Sequence, residues 1–308
     1  IYLSFTSEFV TFSISDCNFI NNSCPYANSM GHAIYSTLLY GAISISRCNF
    51  IDNGYGINYI NSIIYTRSEL LIYNSLICFT DKEESFSRGI YVGASSKLTL
   101  TSCTITNCSI ADESGGALFY TSIKNRVGTL SISDNTFINN TAGDSGSELY
   151  LKIVSKLSFT NCTFINEDSP FAIITVIYSD ISSYSTSFND FVFINCNFHY
   201  KQIYTDVYDS EILKTDDISL YKSEFINCSE ISLTFMNAVN LDISGCIFDG
   251  NTNNDYFASM INVQSVTISN CVFRNNNLVP TNDTEFQHAI VLASNCTLLS
   301  IIDTIFDS

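Results

Sequence analysis

The sequence predicts an all-β protein, a parallel β-helix (β-solenoid) of about eleven coils with roughly 29 residues each. Three observations support this fold: one short motif recurs along the chain, apolar and polar residues alternate within each copy, and helical periodicity is absent. A regular repeat of this length is typical of solenoids, in which each unit completes its core by stacking on the next. We therefore expect residues 1–308 to form a single β-helix segment of a longer chain.

The recurring motif reads apolar-x-apolar-Ser-Asn/Asp-Cys-x-Phe-x-Asn, with clear copies at 14–22, 45–53, 159–166 and 268–276. Alignment on its Cys position gives eleven anchors, spaced 23 to 34 residues apart. These anchors are Cys17, Cys48, Ser75, Cys103, Asn135, Cys162, Cys196, Ser223, Cys246, Cys271 and Thr304. Each anchor should mark the same point on one coil.

The residues around an anchor indicate strands joined by a bend. In the copy at 130–137, Leu130 and Ile132 should point inward, the next two residues should bend the chain, and Asn135 and Phe137 should point inward again. Asn or Asp is expected at the bend, because these side chains tolerate left-handed backbone geometry and bond to their own turn. Ser, Thr, Ile, Val, Phe and Tyr dominate each unit, as in strands.

A glycine-rich position follows several anchors and predicts a second strand. It occurs at 31–35, 115–119 and 146–150, and a related stretch lies at 288–291. Glycine suits a tight corner, and the apolar run after it suits a strand. Each coil should therefore contain at least two strand positions.

These paired motifs resemble those of a known group of surface proteins. Phe-x-x-Asn occurs at 19–22, 50–53, 137–140, 248–251 and 273–276, with Gly-Gly-Ala-Leu at 115–118 and Gly-His-Ala-Ile at 31–34. The pattern resembles the polymorphic outer membrane protein repeats of chlamydiae, which also occur in surface proteins of some protists. More broadly, the chain is similar to the pectin-lyase-like right-handed β-helix group. The resemblance covers essentially the whole chain and implies right-handed coils, cell-surface display and adhesion.

Composition and charge limit the classes of partner. Hydrophobic residues make up 46% of the chain, enough to bury a large core, so disorder is excluded as the main state. Thirteen Lys and Arg against 30 Asp and Glu leave a net charge of −17, which excludes nucleic acid as a partner. No stretch approaches the roughly 20 apolar residues of a transmembrane span. Other protein subunits, through self-assembly or as surface partners, or glycans remain as partners.

Cysteines at the anchors predict an interior ladder. Its members are Cys17, Cys48, Cys103, Cys162, Cys196, Cys246 and Cys271. They suit buried thiols that act as small hydrophobic side chains. Disulfides between neighbouring coils stay open as an alternative, because stacked Cα atoms would lie about 4.8 Å apart. Zinc is not expected, because Cys-x-x-Cys pairs with a nearby His are missing.

Asn-x-Ser/Thr sequons are frequent and are candidates for glycosylation. They lie at Asn21, Asn107, Asn139, Asn161, Asn227, Asn282 and Asn295. A chain rich in Asn, Ser and Thr also produces such triplets by chance. Several fall at predicted bends, where a glycan could project outward. Together with the cysteine content they favour an extracellular or cell-surface glycoprotein.

One acidic loop could bind a cation. Asp249, Asn251, Asn253 and Asp255 place oxygen-bearing side chains at alternate positions, a spacing that suits a structural calcium ion. The alternative is a plain Asn-rich turn. No other cofactor is expected.

Another cluster interleaves tyrosines with carboxylates and could bind a sugar or a partner chain. Its members are Tyr200, Tyr204, Asp206, Tyr208, Asp209, Asp216 and Asp217. The alternative is a solvated acidic loop beside ordinary strand tyrosines.

Catalytic motifs of related β-helix enzymes are missing from the sequence, which has neither Gly-His-Gly nor Arg-x-Lys. General acid–base catalysis needs paired groups with separated pKa values, and no such pair can be assembled. We therefore expect a non-catalytic extracellular structural or adhesive protein, a subunit or segment of a surface filament or coat. Two alternatives are a carbohydrate-active β-helix enzyme (a polysaccharide lyase or hydrolase) and a non-catalytic glycan-binding module.

Overall fold

The computed structural model confirms the all-β parallel solenoid. Every assigned element in the described part of the chain is a β-strand, and every pairing is parallel. The described residues are 1–3, 10–22, 31–37, 41–54, 62–80, 87–93, 97–110, 113–122, 128–143, 148–165, 174–178, 185–189, 192–194, 203–207, 215–226, 233–236, 238–253, 256–278 and 289–307. Within them there is no helix long and apolar enough to cross a membrane.

Three strand positions follow one another in each coil, and each stacks on its equivalents in neighbouring coils to form a ladder. We name the ladders A, B and C in chain order. Ladder A contains Tyr2–Leu3, Ile34–Ser36, Ser62–Thr66, Arg88–Val92, Leu118–Thr121, Leu149–Thr160, Ile174–Tyr178, Ile203–Val207, Leu233–Met236, Tyr256–Ile261 and Ala289–Ser294. Ladder B contains Val10–Ser15, Gly41–Ser46, Glu69–Tyr73, Lys97–Thr101, Gly128–Ser133, the second half of Leu149–Thr160, Ser185–Asn189, Thr215–Tyr221, Ala238–Ser244, Ser265–Ser269 and Leu298–Ile302.

Ladder C is a separate sheet of eleven strands, one from each coil. In most coils this strand begins one residue after the anchor. Its strands are Asn18–Ile20, Asn49–Ile51, Leu76–Cys78, Thr104–Thr106, Thr136–Ile138, Thr163–Ile165, Val192–Ile194, Glu224–Ile226, Ile247–Asp249, Val272–Arg274 and Ile305–Asp307. Two short extra pairs join Ser109–Ile110 to Thr141–Ala142 and Thr252–Asn253 to Asn277–Leu278.

One anchor of the sequence alignment is wrong. Alignment on Cys196 predicts a ladder C strand from residue 197, but the strand begins at Val192. Phe193 pairs with Phe164 on one side and with Phe225 on the other. The repeating phenylalanine therefore sets the register of this coil, and Cys196 itself lies outside the described residues.

The alternation around the bend is confirmed. Leu130, Ile132, Asn135 and Phe137 are each at most 1% exposed. Asp134 has a φ of 57°, the left-handed conformation expected of the bend. Ten described residues directly before an anchor share a φ of 47–66°: Asp16, Arg47, Asn74, Ser102, Asp134, Asn161, Lys222, Gly245, Asn270 and Asp303. Since Arg, Ser and Lys also adopt this conformation, the fold imposes it on residue types that disfavour it.

The asparagine of Phe-x-x-Asn closes the corner after ladder C. Asn53 is fully buried, and its side-chain amide donates to the carbonyl of Phe19 at 2.8 Å. Its oxygen accepts the backbone N–H of Asn22 at 3.0 Å. The motif therefore recurs because this side chain satisfies buried backbone groups of the neighbouring coil.

The phenylalanines of ladder C form an inward stack that we call the phenylalanine column. Among the described side chains, one run of the column comprises Phe225, Phe248, Phe273 and Phe306, with ring centroids 4.7, 4.5 and 5.1 Å apart. Phe225, Phe248 and Phe273 are at most 2% exposed.

Candidate functional site

An unbroken aromatic stack runs along the outer side of ladder A across six coils. We call it the outer aromatic column: Tyr2, Tyr35, Tyr65, Tyr91, Phe119 and Tyr150. The register of ladder A places these residues on each other in successive coils. Their chain neighbours, such as Ile34 and Ile90, are fully buried, so strand alternation turns the rings outward.

The rings of the outer aromatic column are stacked nearly parallel to one another. Neighbouring centroids lie 4.8–5.3 Å apart, and the planes differ by 5–20°. Such pairs are each worth about 0.5–1.5 kcal/mol beyond simple burial. Because each ring face is covered by the next ring, a ligand meets ring edges and phenol hydroxyls. The column therefore does not offer its inner ring faces for stacking on a sugar.

Exposure varies along the outer aromatic column. Tyr2 is 68% exposed, Tyr65 only 4%, and the other four rings are half-buried. Burial raises the pKa of Tyr35 and of Tyr91, and the charge of Arg67 opposes the rise at both phenols. The phenols of Tyr35 and Tyr91 are therefore neutral hydrogen-bonding groups at ordinary pH.

Arg88 contacts the outer aromatic column at the point where Tyr91 stacks on Phe119. Its guanidinium carbon lies 5.3 Å from the ring centroid of Tyr91 and 4.9 Å from that of Phe119. The side chain is fully buried and donates to the carbonyls of Gly115 at 2.9 Å and Ser114 at 2.7 Å. Within the described residues, Nη1 has no hydrogen-bond partner. The buried cation thus lies beside both rings of one stacked pair, where the ring electrons and the two carbonyls offset part of the cost of its burial.

Glu113 neutralises Arg88. Nη2 of Arg88 donates to the Glu113 carboxylate at 3.0 Å, and the Glu113 side chain is 35% exposed. Burial lowers the pKa of Arg88, while the hydrogen bond to Glu113 raises it. The pair thus joins a buried cation to an anion that still reaches solvent.

The predicted tyrosine and carboxylate cluster is divided between two ladders. Tyr204 and Asp206 lie on the ladder A strand Ile203–Val207, whereas Asp216 and Asp217 lie on the ladder B strand Thr215–Tyr221. Tyr204 occupies the same register position as Tyr150, two coils away, with Thr175 between them. Tyr200, Tyr208 and Asp209 lie outside the described residues.

Two of the calcium candidates are hydrogen-bonded to other groups of the protein, and the other two lie partly or wholly outside the described residues. Both oxygens of Asp249 accept hydrogen bonds, from Arg274 at 2.7 Å and from Asn275 at 2.9 Å. Arg274 and Asn275 also lower the pKa of the Asp249 carboxyl. Asn251 is fully buried and donates to the Phe225 carbonyl. The side chain of Asn253 and the whole of Asp255 lie outside the described residues, which contain no metal-binding group of three or more His, Cys, Asp or Glu side chains.

The sequon asparagines occupy corners of the coils. Five of them have a left-handed φ of 50–56°: Asn21, Asn107, Asn139, Asn161 and Asn295. Asn21, Asn161 and Asn295 are exposed, whereas Asn107 and Asn139 are half-buried. The Asn107 amide donates inward to the Phe79 carbonyl at 2.9 Å. Asn227 and Asn282 lie outside the described residues.

The anchor thiols face the interior as free cysteines. Cys48, Cys103, Cys162, Cys246 and Cys271 are at most 1% exposed, and Cys17 is half-buried. Burial raises the pKa of both Cys103 and Cys162 to about 11. The hydrogen bond with Cys271, together with burial, raises the pKa of Cys246. Cys103 and Cys162 are therefore protonated packing groups at neutral pH, whereas the hydrogen bond with Cys246 lowers the pKa of Cys271 to about 7.

No family model matches the chain, and no curated protein matches it.

Proposed function

We propose that this chain is a non-catalytic extracellular structural or adhesive β-helix protein, a subunit or segment of a surface filament or coat. The observation that carries the proposal is the outer aromatic column, which repeats one kind of side chain in register over six coils. A surface built from such columns is suited to repetitive contacts along a rod. The resemblance to chlamydial surface repeats supports the same proposal.

The competing function is a carbohydrate-active enzyme or a glycan-binding module built on the tyrosine and carboxylate cluster. The division of Tyr204 and Asp206 from Asp216 and Asp217 between ladders A and B weighs against one compact site. The stacked rings of the outer column likewise leave few ring faces for a sugar.

Electron microscopy of native, full-length material tests the proposal. Regular end-to-end or lateral polymers that contain this segment would support a structural role. Rods that remain single but coat the cell surface would support adhesion.

An enzyme assay with a matched control tests the alternative. The purified chain is incubated with acidic and neutral polysaccharides, with and without calcium, beside Asp216→Asn/Asp217→Asn and Asp206→Asn variants. We expect no turnover by any of them. Turnover that is lost only in the double variant would overturn the proposal.

A further inference from the structure

The four tyrosines at the start of the outer aromatic column form a row of oxidisable phenols. We propose that Tyr2, Tyr35, Tyr65 and Tyr91 are a site of oxidative cross-linking, where a one-electron oxidant couples stacked neighbours into dityrosine and joins successive coils covalently. This proposal stands on the column geometry and does not depend on the structural or adhesive function.

The geometry brings the phenols into contact in pairs. The ring centroids are 5.3 Å apart for Tyr2 and Tyr35, 5.1 Å for Tyr35 and Tyr65, and 4.8 Å for Tyr65 and Tyr91. The planes differ by 12°, 20° and 10° in the same order. The strand register places the four tyrosines at the same level of successive coils. Phenoxyl radicals on rings this close can couple through the ring carbons beside their hydroxyls.

The row also has an accessible entry point. Tyr35 and Tyr91 are half-buried, so a peroxidase-generated oxidant can reach the column from solvent. Tyr65 is only 4% exposed but lies between two such neighbours. The chain contains no Trp, so tyrosine is its most readily oxidised aromatic side chain. A radical formed at an exposed ring can therefore pass to an enclosed one by exchange along the stack.

The coupling balances with hydrogen peroxide as the two-electron acceptor. Each of two phenols loses one electron and its hydroxyl proton, and the two radicals form one carbon–carbon bond between ring positions beside the hydroxyls. The two hydrogens on those carbons then move to the oxygens and restore both phenols. Two hydrogen atoms are lost per link, and one hydrogen peroxide becomes two waters.

Phe119 provides an internal control. It stacks on Tyr91 at 4.9 Å and on Tyr150 at 5.3 Å, in the same geometry as the tyrosine pairs. Without a hydroxyl, phenylalanine cannot form the phenoxyl radical. Tyr150 is therefore separated from Tyr91 by an inert ring and should take no part in the links.

The test treats the purified chain with a peroxidase and hydrogen peroxide, and maps cross-linked peptides by mass spectrometry. We expect links between residues 2 and 35, 35 and 65, and 65 and 91, each with the loss of two hydrogens, and none to Tyr150. Tyr65→Phe should remove the two links that share Tyr65 and leave the first. Phe119→Tyr should create new links that reach Tyr150.

Two controls keep the proposal falsifiable. In denaturant, where the register is lost, links should spread over many of the chain's 18 tyrosines. Tyr2→Phe should remove only the link between residues 2 and 35. Because Tyr2 is exposed, this substitution should not disturb the fold. The proposal fails if the folded chain forms no such links, if its links resemble those of the denatured chain, or if Phe119→Tyr adds nothing.

Discussion

The outer aromatic column of ladder A and the phenylalanine column of ladder C have the same spacing but different surroundings. Centroids lie 4.8–5.3 Å apart in the first and 4.5–5.1 Å apart in the run from Phe225 to Phe306. Phe248 is fully buried, whereas Phe119 is half-buried. Stacking thus follows from the parallel register, and burial decides whether a column supports the core or presents chemistry to solvent.

Truncating one ring in each column should give the largest difference. We expect Phe248→Ala to lower the free energy of unfolding by about 3–5 kcal/mol, because it opens a cavity between two buried rings. Phe119→Ala should cost about 1–3 kcal/mol, since it loses two stacked pairs at a half-buried site. Unfolding in urea, followed by circular dichroism, measures both. Equal losses would contradict the distinction between the columns.

Replacing the buried cation beside the outer column should have the next largest effect. Arg88→Met leaves the carbonyls of Ser114 and Gly115 without their donor, and unsatisfied buried groups cost about 1–3 kcal/mol. Arg47→Met is the matched control, because its ion pair with Asp16 is exposed on both sides. The control should leave the unfolding midpoint almost unchanged. If both variants lose the same stability, Arg88 does not hold the column.

The sequence predicts the inward columns better than the outward one. The phenylalanine column follows from one short motif, whose anchor slot also accepts Ser75 and Asn135. The alignment fails at Cys196 because residues 193–198, Phe-Ile-Asn-Cys-Asn-Phe, offer two phenylalanines. The structure selects Phe193, which stands in register with Phe164 and Phe225.

The outer aromatic column has no comparable sequence signal. Each coil contributes a single ring, and successive rings lie 26 to 33 residues apart with varied loops between them. Alternation within a strand predicts that such a residue faces outward, but only the register between coils shows that the rings meet. Arg88 is missed for a similar reason, since its partners at 113–115 lie on the next coil.

Raising the pH above 9 should lower the stability of the fold through its buried thiols. Burial raises the folded-state pKa of Cys162 from 9.0 to about 11, so the folded state holds this proton more tightly than the unfolded state does. Its contribution is complete below pH 9 and is lost as the pH rises towards 11. Stability should therefore fall by about 2 kcal/mol across this window, since one pKa unit corresponds to about 1.4 kcal/mol.

Variants of Cys162 and Cys103, whose pKa values are both raised to about 11, test whether the buried thiols cause this decline. Cys162→Ala and Cys103→Ala should each flatten the decline in the urea midpoint between pH 9 and 11. A decline that keeps its slope in the double variant would assign it to other groups, with the phenols of Tyr35 and Tyr91 as the next candidates.

The smallest expected effect is that of Tyr65→Phe. The substitution keeps the ring between Tyr35 and Tyr91, and so keeps both stacked pairs, while it removes only a hydroxyl. We expect the free energy of unfolding to change by less than about 0.5 kcal/mol, because no ring packing is removed. The same variant should nevertheless lose both dityrosine links that involve residue 65. A large loss of stability would mean that the Tyr65 hydroxyl is itself structural, and the column would then be held by its phenols as well as by its rings.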